Sequence, residues 1–181
     1  MLVKTFGSAI QGIVATTITV EVAVEQGINF VLVGLPDNAV KESHERISSA
    51  LRTHGYKIPG KKVVINMAPA DIRKEGSAYD LTLAIGILAA SDQINSEKLK
   101  DYIIMGELSL DGTLNPIKGV LPIALQAKQE GFKGFILPKA NAKEAAIVQG
   151  LEVLGVENIL EVIDFINGTG TIAPTIINVD E

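Results

Sequence analysis

The segment Leu81-Thr-Leu-Ala-Ile-Gly-Ile-Leu-Ala-Ala90 is apolar on every side when wound as a helix, interrupted only by Thr82. A helix with no polar face has nothing to offer water, so it belongs at the centre of a core with other elements packed around it. It falls far short of the ~20 apolar residues that a membrane-spanning helix needs. The chain is 47% hydrophobic but only 4% aromatic, with no Trp, so aliphatic and Ala side chains must fill that core. Its 181 residues suit a single domain.

Elements that could wrap such a helix lie on both sides of it. Upstream, residues 16–24 alternate from Ile18 through Val20, Val22 and Val24, as a half-buried strand does. Phe30–Val33 is a second strand, closed by Gly34-Leu35-Pro36. Asp37 then predicts the N-cap of a helix with Val40, Ile47 and Leu51 in one stripe, Glu42 and Arg46 paired outside, and Gly55 as its stop. Lys62–Met67 is the next strand. Downstream, strands and helices alternate: strand 103–105, a turn at Asp111-Gly112, helix 120–129, strand 135–137, helix 140–148, strand 151–154 and helix 159–166. The order predicts an α/β domain of the α+β kind built on a mixed sheet, with room for two lobes.

Absences narrow the function. Without cysteine there are no disulfides, thiolate zinc sites or cysteine nucleophiles. Met1 is not followed by a signal sequence, so we expect a soluble, cytoplasmic protein with no membrane partner. The net charge of −5 is unlike that of a dedicated nucleic-acid module. Residues 167–181, rich in Gly and Thr at their start, read as a linker after a domain spanning 1–166.

Several motifs invite chemistry. Gly55-x-x-x-x-Gly60-Lys61 has Walker A spacing, but Lys62 stands where a magnesium-binding hydroxyl should be, and a helix precedes where a strand belongs. His44 is expected on an exposed helix face, and His54 at a helix end near free carbonyls. Neither has a second metal ligand at a useful spacing. Ser77-x-x-Asp80 resembles a capping box for the apolar helix, and that helix end is also a candidate anion site at Ser77. Residues 105–122 read as a hairpin turning at Asp111-Gly112, then Pro116-Ile117-Lys118-Gly119 entering a helix.

Together these stretches resemble the proteolytic domain of Lon proteases, which has the ribosomal-protein-S5-domain-2-like fold. Lys74-Glu75-Gly76 matches that family's Lys-Asp-Gly before its nucleophile loop. Gly106-Glu107-Leu108-Ser109-Leu110, Gly112 and Pro116-Ile117-x-Gly119 match its Gly-Glu-Ile-Thr-Leu, Gly and Pro-Ile-Gly-Gly. Residues 134–138 and Asn141 resemble a further strand and loop. A closer resemblance, through Val33-Gly-Leu-Pro-Asp37, Val40-Lys-Glu-Ser43, Arg46, Ala68-Pro-Ala-Asp71 and residues 73–77 with Asp80-Leu81, is to the amino-terminal domain of ComM/YifB-type magnesium-chelatase-like proteins.

That resemblance implies an AAA+ ATPase module beyond this chain, with ATP and Mg²⁺ bound there and no cofactor or metal here. It implies as partners the chain's own ATPase module, neighbouring subunits of a hexameric ring, and DNA, on which the family acts as a branch-migrating helicase in transformation and recombination. Carrying the Lon dyad across places its Ser on Ala78 and its Lys on Leu121, neither of which can do the chemistry. The expected role is therefore a non-catalytic scaffold, with a peptidase using a shifted Ser77–Lys118 dyad as the alternative. Candidate DNA contacts are Arg52, Lys57, Lys61, Lys62, Arg73 and Lys74, provided the fold gathers them.

Overall fold

In the computed structural model, residues 1–178 are described. A seven-stranded mixed sheet forms the frame. In chain order its strands are β1 (Leu2–Gln11), β2 (Val14–Glu25), β3 (Phe30–Val33), β4 (Lys62–Ala68), β5 (Tyr102–Ile104), β8 (Gly134–Pro138) and β9 (Glu152–Val156). Their spatial order is β3-β4-β2-β1-β5-β8-β9. β2 runs antiparallel to β1 and β4, and the remaining pairs are parallel. The short strands β6 (Glu107–Leu108) and β7 (Leu114–Asn115) form the expected hairpin apart from the sheet.

The helices are α1 (Asp37–Thr53), α2 (Asp80–Ala90), α3 (Val120–Gln129), α4 (Lys139–Ala145) and α5 (Ile159–Asn167). Every residue of α2 is buried. It lies on β1 and β2 closely enough that a Cβ on Gly86 would come within 2.8 Å of Val22 Cγ2. Thr82, the polar break in its apolar run, is satisfied: its hydroxyl donates to the Ile104 carbonyl, while Thr5 donates to the Thr82 carbonyl at 3.2 Å. A buried hydroxyl without such a partner would be costly.

Two lobes do not form. β1 joins the halves, pairing with β2 along its whole length and with β5 at Phe6–Ile103. Sequence periodicity missed β1, because its side chains toward α2 are Val3, Thr5, Gly7 and Ala9, a row too mixed and small to stand out. Other differences are local. Pro36, not Asp37, is the N-cap of α1, and its fixed extended backbone (φ −62°, ψ 151°) sets the helix entry. His44 is half-buried, its ring edge-on to Phe30 at 4.7 Å, because β3 lies beside that face of α1. After α5, residues 168–178 have no regular secondary structure, yet Thr175 N–H donates to Val153 O on β9 at 2.8 Å and Ile172 packs against the core. Residues 179–181 of the expected linker lie outside the described residues.

Candidate functional site

A cleft of about 430 Å³ opens beside the start of α2. Four pieces of chain build it. β1 contributes Ser8 and Ile10. The loop after β4 contributes Arg73, Glu75 and Ala78, with Tyr79. Lys118, Gly119 and Ile123 come from the start of α3, and Met105 from the end of β5. Tyr79 is buried and donates its hydroxyl to Ser8 O at 2.8 Å. Burial pushes its phenol pKa well up, so it remains a neutral donor that ties the loop to β1.

The loop 69–75 is held by Lys74, which is only 7% exposed. Its ammonium donates to Pro69 O at 2.7 Å and Ile72 O at 3.0 Å. Desolvation lowers its pKa, with Asp71 opposing. With Lys74 turned inward, Arg73 and Glu75 on either side of it face the cleft. Lys74 therefore cannot be the exposed DNA contact expected of it, because its charge serves its own loop.

The start of α2 departs from a capping box. Residues 76–79 wind a 3₁₀ turn that runs straight into α2, and no side chain caps either helix. Ser77 is thus inside helical backbone, and Asp80 reaches elsewhere. Asp80 is fully buried and accepts from Arg46 Nε at 2.6 Å, Arg46 Nη2 at 3.1 Å, Ser43 Oγ at 2.9 Å and Leu108 N–H at 3.1 Å. Arg46 does not pair with Glu42: Asp80 offers two oxygens in a dry site, whereas Glu42 contributes only a longer-range field. Burial pushes the Asp80 carboxyl up, against the pull of Arg46, Leu108 N–H and Ser43, while its hydrogen bond raises Arg46. Four converging donors suit an ionised carboxylate, since a proton there would displace one of them. This network binds α1, α2 and the β6–β7 hairpin together. Sequence reading missed it, although Ser43, Arg46 and Asp80 all stood in the resemblance.

Ala78 and Leu121, at the positions that the resemblance assigns to the dyad, are both partly buried against the core, and of the two Ala78 lines the cleft. Lys118 lines the cleft and Ser77 does not. Ser8 is a hydroxyl that does line it, and it donates to Thr16 O at 3.3 Å. At the Walker-like segment, α1 precedes and β4 follows, the order expected from sequence. His54 ends α1 and its Nε2 meets Asp111 O at 3.1 Å, a carbonyl of the hairpin turn rather than of its own helix.

The six cations do not form one patch. Arg52, Lys57, Lys61 and Lys62 surround the connection from α1 to β4, where Arg52 donates to Ser48 at 2.7 Å and Lys62 lies 3.7 Å from Glu25. Arg73 lies beyond the other end of β4, a strand of 7 residues that spans about 20 Å.

Over residues 20–141 the chain matches the family described as subunit ChlI of Mg-chelatase. It is 42% identical to competence protein ComM of Haemophilus influenzae over 164 residues, 90% of this chain and 32% of that protein. It is 41% identical to protein YifB of Escherichia coli over 158 residues, 87% of this chain and 31% of YifB. Lon protease 2 of Bacillus subtilis is 35% identical over 126 residues, 68% of this chain and 22% of the protease. The chain spans about a third of the length of ComM and YifB.

Proposed function

This chain belongs to the family of the ChlI subunit of Mg-chelatase, and on that footing we propose that it is the non-catalytic docking domain of a ComM/YifB-type AAA+ ATPase. The observation that carries the reading is Ala78, a methyl group in the cleft where a Lon-like peptidase needs its hydroxyl. A Ser nucleophile requires a base within about 2.6–3.2 Å, and Leu121, at the base position, is packed against the core. The cleft is braced by its own residues, with Tyr79 bonded to Ser8 O and Lys74 holding the loop 69–75. A site kept in shape without its reacting groups suits binding.

In this reading the ATPase module of the longer protein binds ATP and Mg²⁺, assembles a cytoplasmic hexameric ring and moves branched DNA. The present domain docks on that module, on a neighbouring subunit or on the DNA. Among the described residues no helix is long and apolar enough to cross a membrane.

Fluorophosphonate labelling and casein digestion test the proposal. We expect neither label nor cleavage. Casein cleavage that disappears in Ser77→Ala would replace the docking domain with a peptidase using Ser77 and Lys118.

A further inference from the structure

We infer that the cleft beside Ala78 recognises an extended peptide segment through a carboxylate held between Arg73 and Lys118. The inference rests on the docking reading and names the chemistry of what docks. Arg73 and Lys118 both line the cleft, both are exposed, and neither makes an ion pair or side-chain hydrogen bond among the described residues. At the α1–β4 connection, by contrast, Arg52 and Lys62 have side-chain partners. Glu75 is the acidic residue lining the same cleft, so its rim carries one net positive charge on a chain of net charge −5.

The start of α3 adds to this field. Gly119, in a left-handed conformation at φ 74°, is its N-cap and supplies no side-chain acceptor. The N–H groups of Val120 and Leu121, the first of the helix before Pro122, therefore have no side-chain cap, and a negative group is favoured at such a helix end. A Cβ on Gly119 would come within 2.7 Å of Ile10 Cγ1, so α3 and β1 meet closely at this wall.

The rest of the cleft selects peptide over phosphate polymers. Ile10, Ala78, Met105 and Ile123 make much of the wall apolar, as a side chain next to a carboxylate requires and a phosphate backbone does not. A nucleic acid strand would also bring a row of charges against Glu75. β1 bonds to β5 at Phe6–Ile103, and the next rung is closed differently, by Met105 Sδ on Ser8 N–H and by Tyr79 on Ser8 O. Ile10, one rung further on, thus presents its outer strand edge to the cleft without a neighbouring strand, a place for main-chain pairing. The volume of about 430 Å³ lies within the usual range for ligand sites, roughly 300–1,000 Å³.

The test is a titration of the ¹⁵N-labelled chain with the acetylated, amidated peptide Ala-Leu-Glu-Ala-Val and with its Gln counterpart. Expected are saturable amide shifts at Ile10, Ala78, Gly119 and Val120. Binding should weaken at least about tenfold for the Gln peptide, and equally for the Glu peptide with the Arg73→Gln/Lys118→Gln variant. Both side chains are exposed, so the variant keeps its amide spectrum elsewhere. No saturable shift, equal binding of both peptides, or equal binding of inorganic phosphate would overturn the inference. So would tighter binding of a single-stranded oligonucleotide at the same amides. Mass spectrometry of the recovered peptide separates the two levels: a cleaved peptide removes the docking reading itself, whereas an intact, unbound peptide removes only this inference.

Discussion

Asp80 has a fully buried carboxylate, and its salt-bridge partner Arg46 keeps 23% of its side chain exposed. The exposed edge of the guanidinium remains solvated, while the carboxylate depends wholly on protein donors. Asp80→Asn is expected to lower unfolding free energy by about 3–5 kcal/mol, because it leaves Arg46 facing an amide in a dry site. Urea denaturation measures this, and a loss below about 1 kcal/mol would mean the network contributes little. Gly86 is the second critical position. A methyl group there meets Val22 Cγ2 at 2.8 Å and Thr5 Oγ1 at 3.4 Å, so Gly86→Ala should destabilise by about 1–3 kcal/mol despite its better helix propensity. An unchanged or raised melting temperature would show that α2 can shift away from the sheet.

Helix α2 was legible as an element because an all-round apolar run has one physical solution, burial on every side. Placing a charge in its middle should be severe: Ile85→Asp is expected to cost at least about 4 kcal/mol, since Ile85 is fully buried in a helix buried along its whole length. Circular dichroism melting checks this, and a variant that melts with the parent would remove α2 from the core. β1 was illegible for the opposite reason. Its inward row is Val3, Thr5, Gly7 and Ala9, small because α2 and Tyr79 approach closely there. The hairpin β6–β7 was legible from Asp111-Gly112 alone. Gly112 holds φ 92°, and a Cβ there would meet His54 at 2.8 Å, so the turn needs glycine for its backbone and for its contact.

At the scale of the molecule, the candidate contact cations divide between the α1–β4 connection and the cleft, a distinction that net charge alone does not make. Arg52, Lys57, Lys61 and Lys62 surround the α1–β4 connection, away from the cleft that Arg73 and Lys118 line. If the longer protein holds DNA against this domain, the α1–β4 end is where weak, sequence-independent phosphate contacts would form. Lys61→Glu with Lys62→Glu in that protein should then reduce branched-DNA affinity and flatten its salt dependence. Filter binding across a salt series decides it, and equal affinity with equal slope would remove this end from DNA binding. Arg73→Gln/Lys118→Gln should leave the same curve unchanged, since those side chains belong to the cleft.

The sequence by itself determined the central helix, the mixed sheet and the hairpin turn. Each of these depends on near neighbours: apolar periodicity, element order or a turn dipeptide. Only the tertiary structure decided where the charges went. Arg46 chose Asp80 over Glu42 four residues away, Lys74 turned into its own loop, and Ser77 was absorbed into a 3₁₀ turn while Ala78 faced the cleft. A charged side chain goes to whatever partner a dry environment makes strongest, and chain segments far apart in sequence create that environment. Local spacing can name the charged residues, but the fold selects their partners.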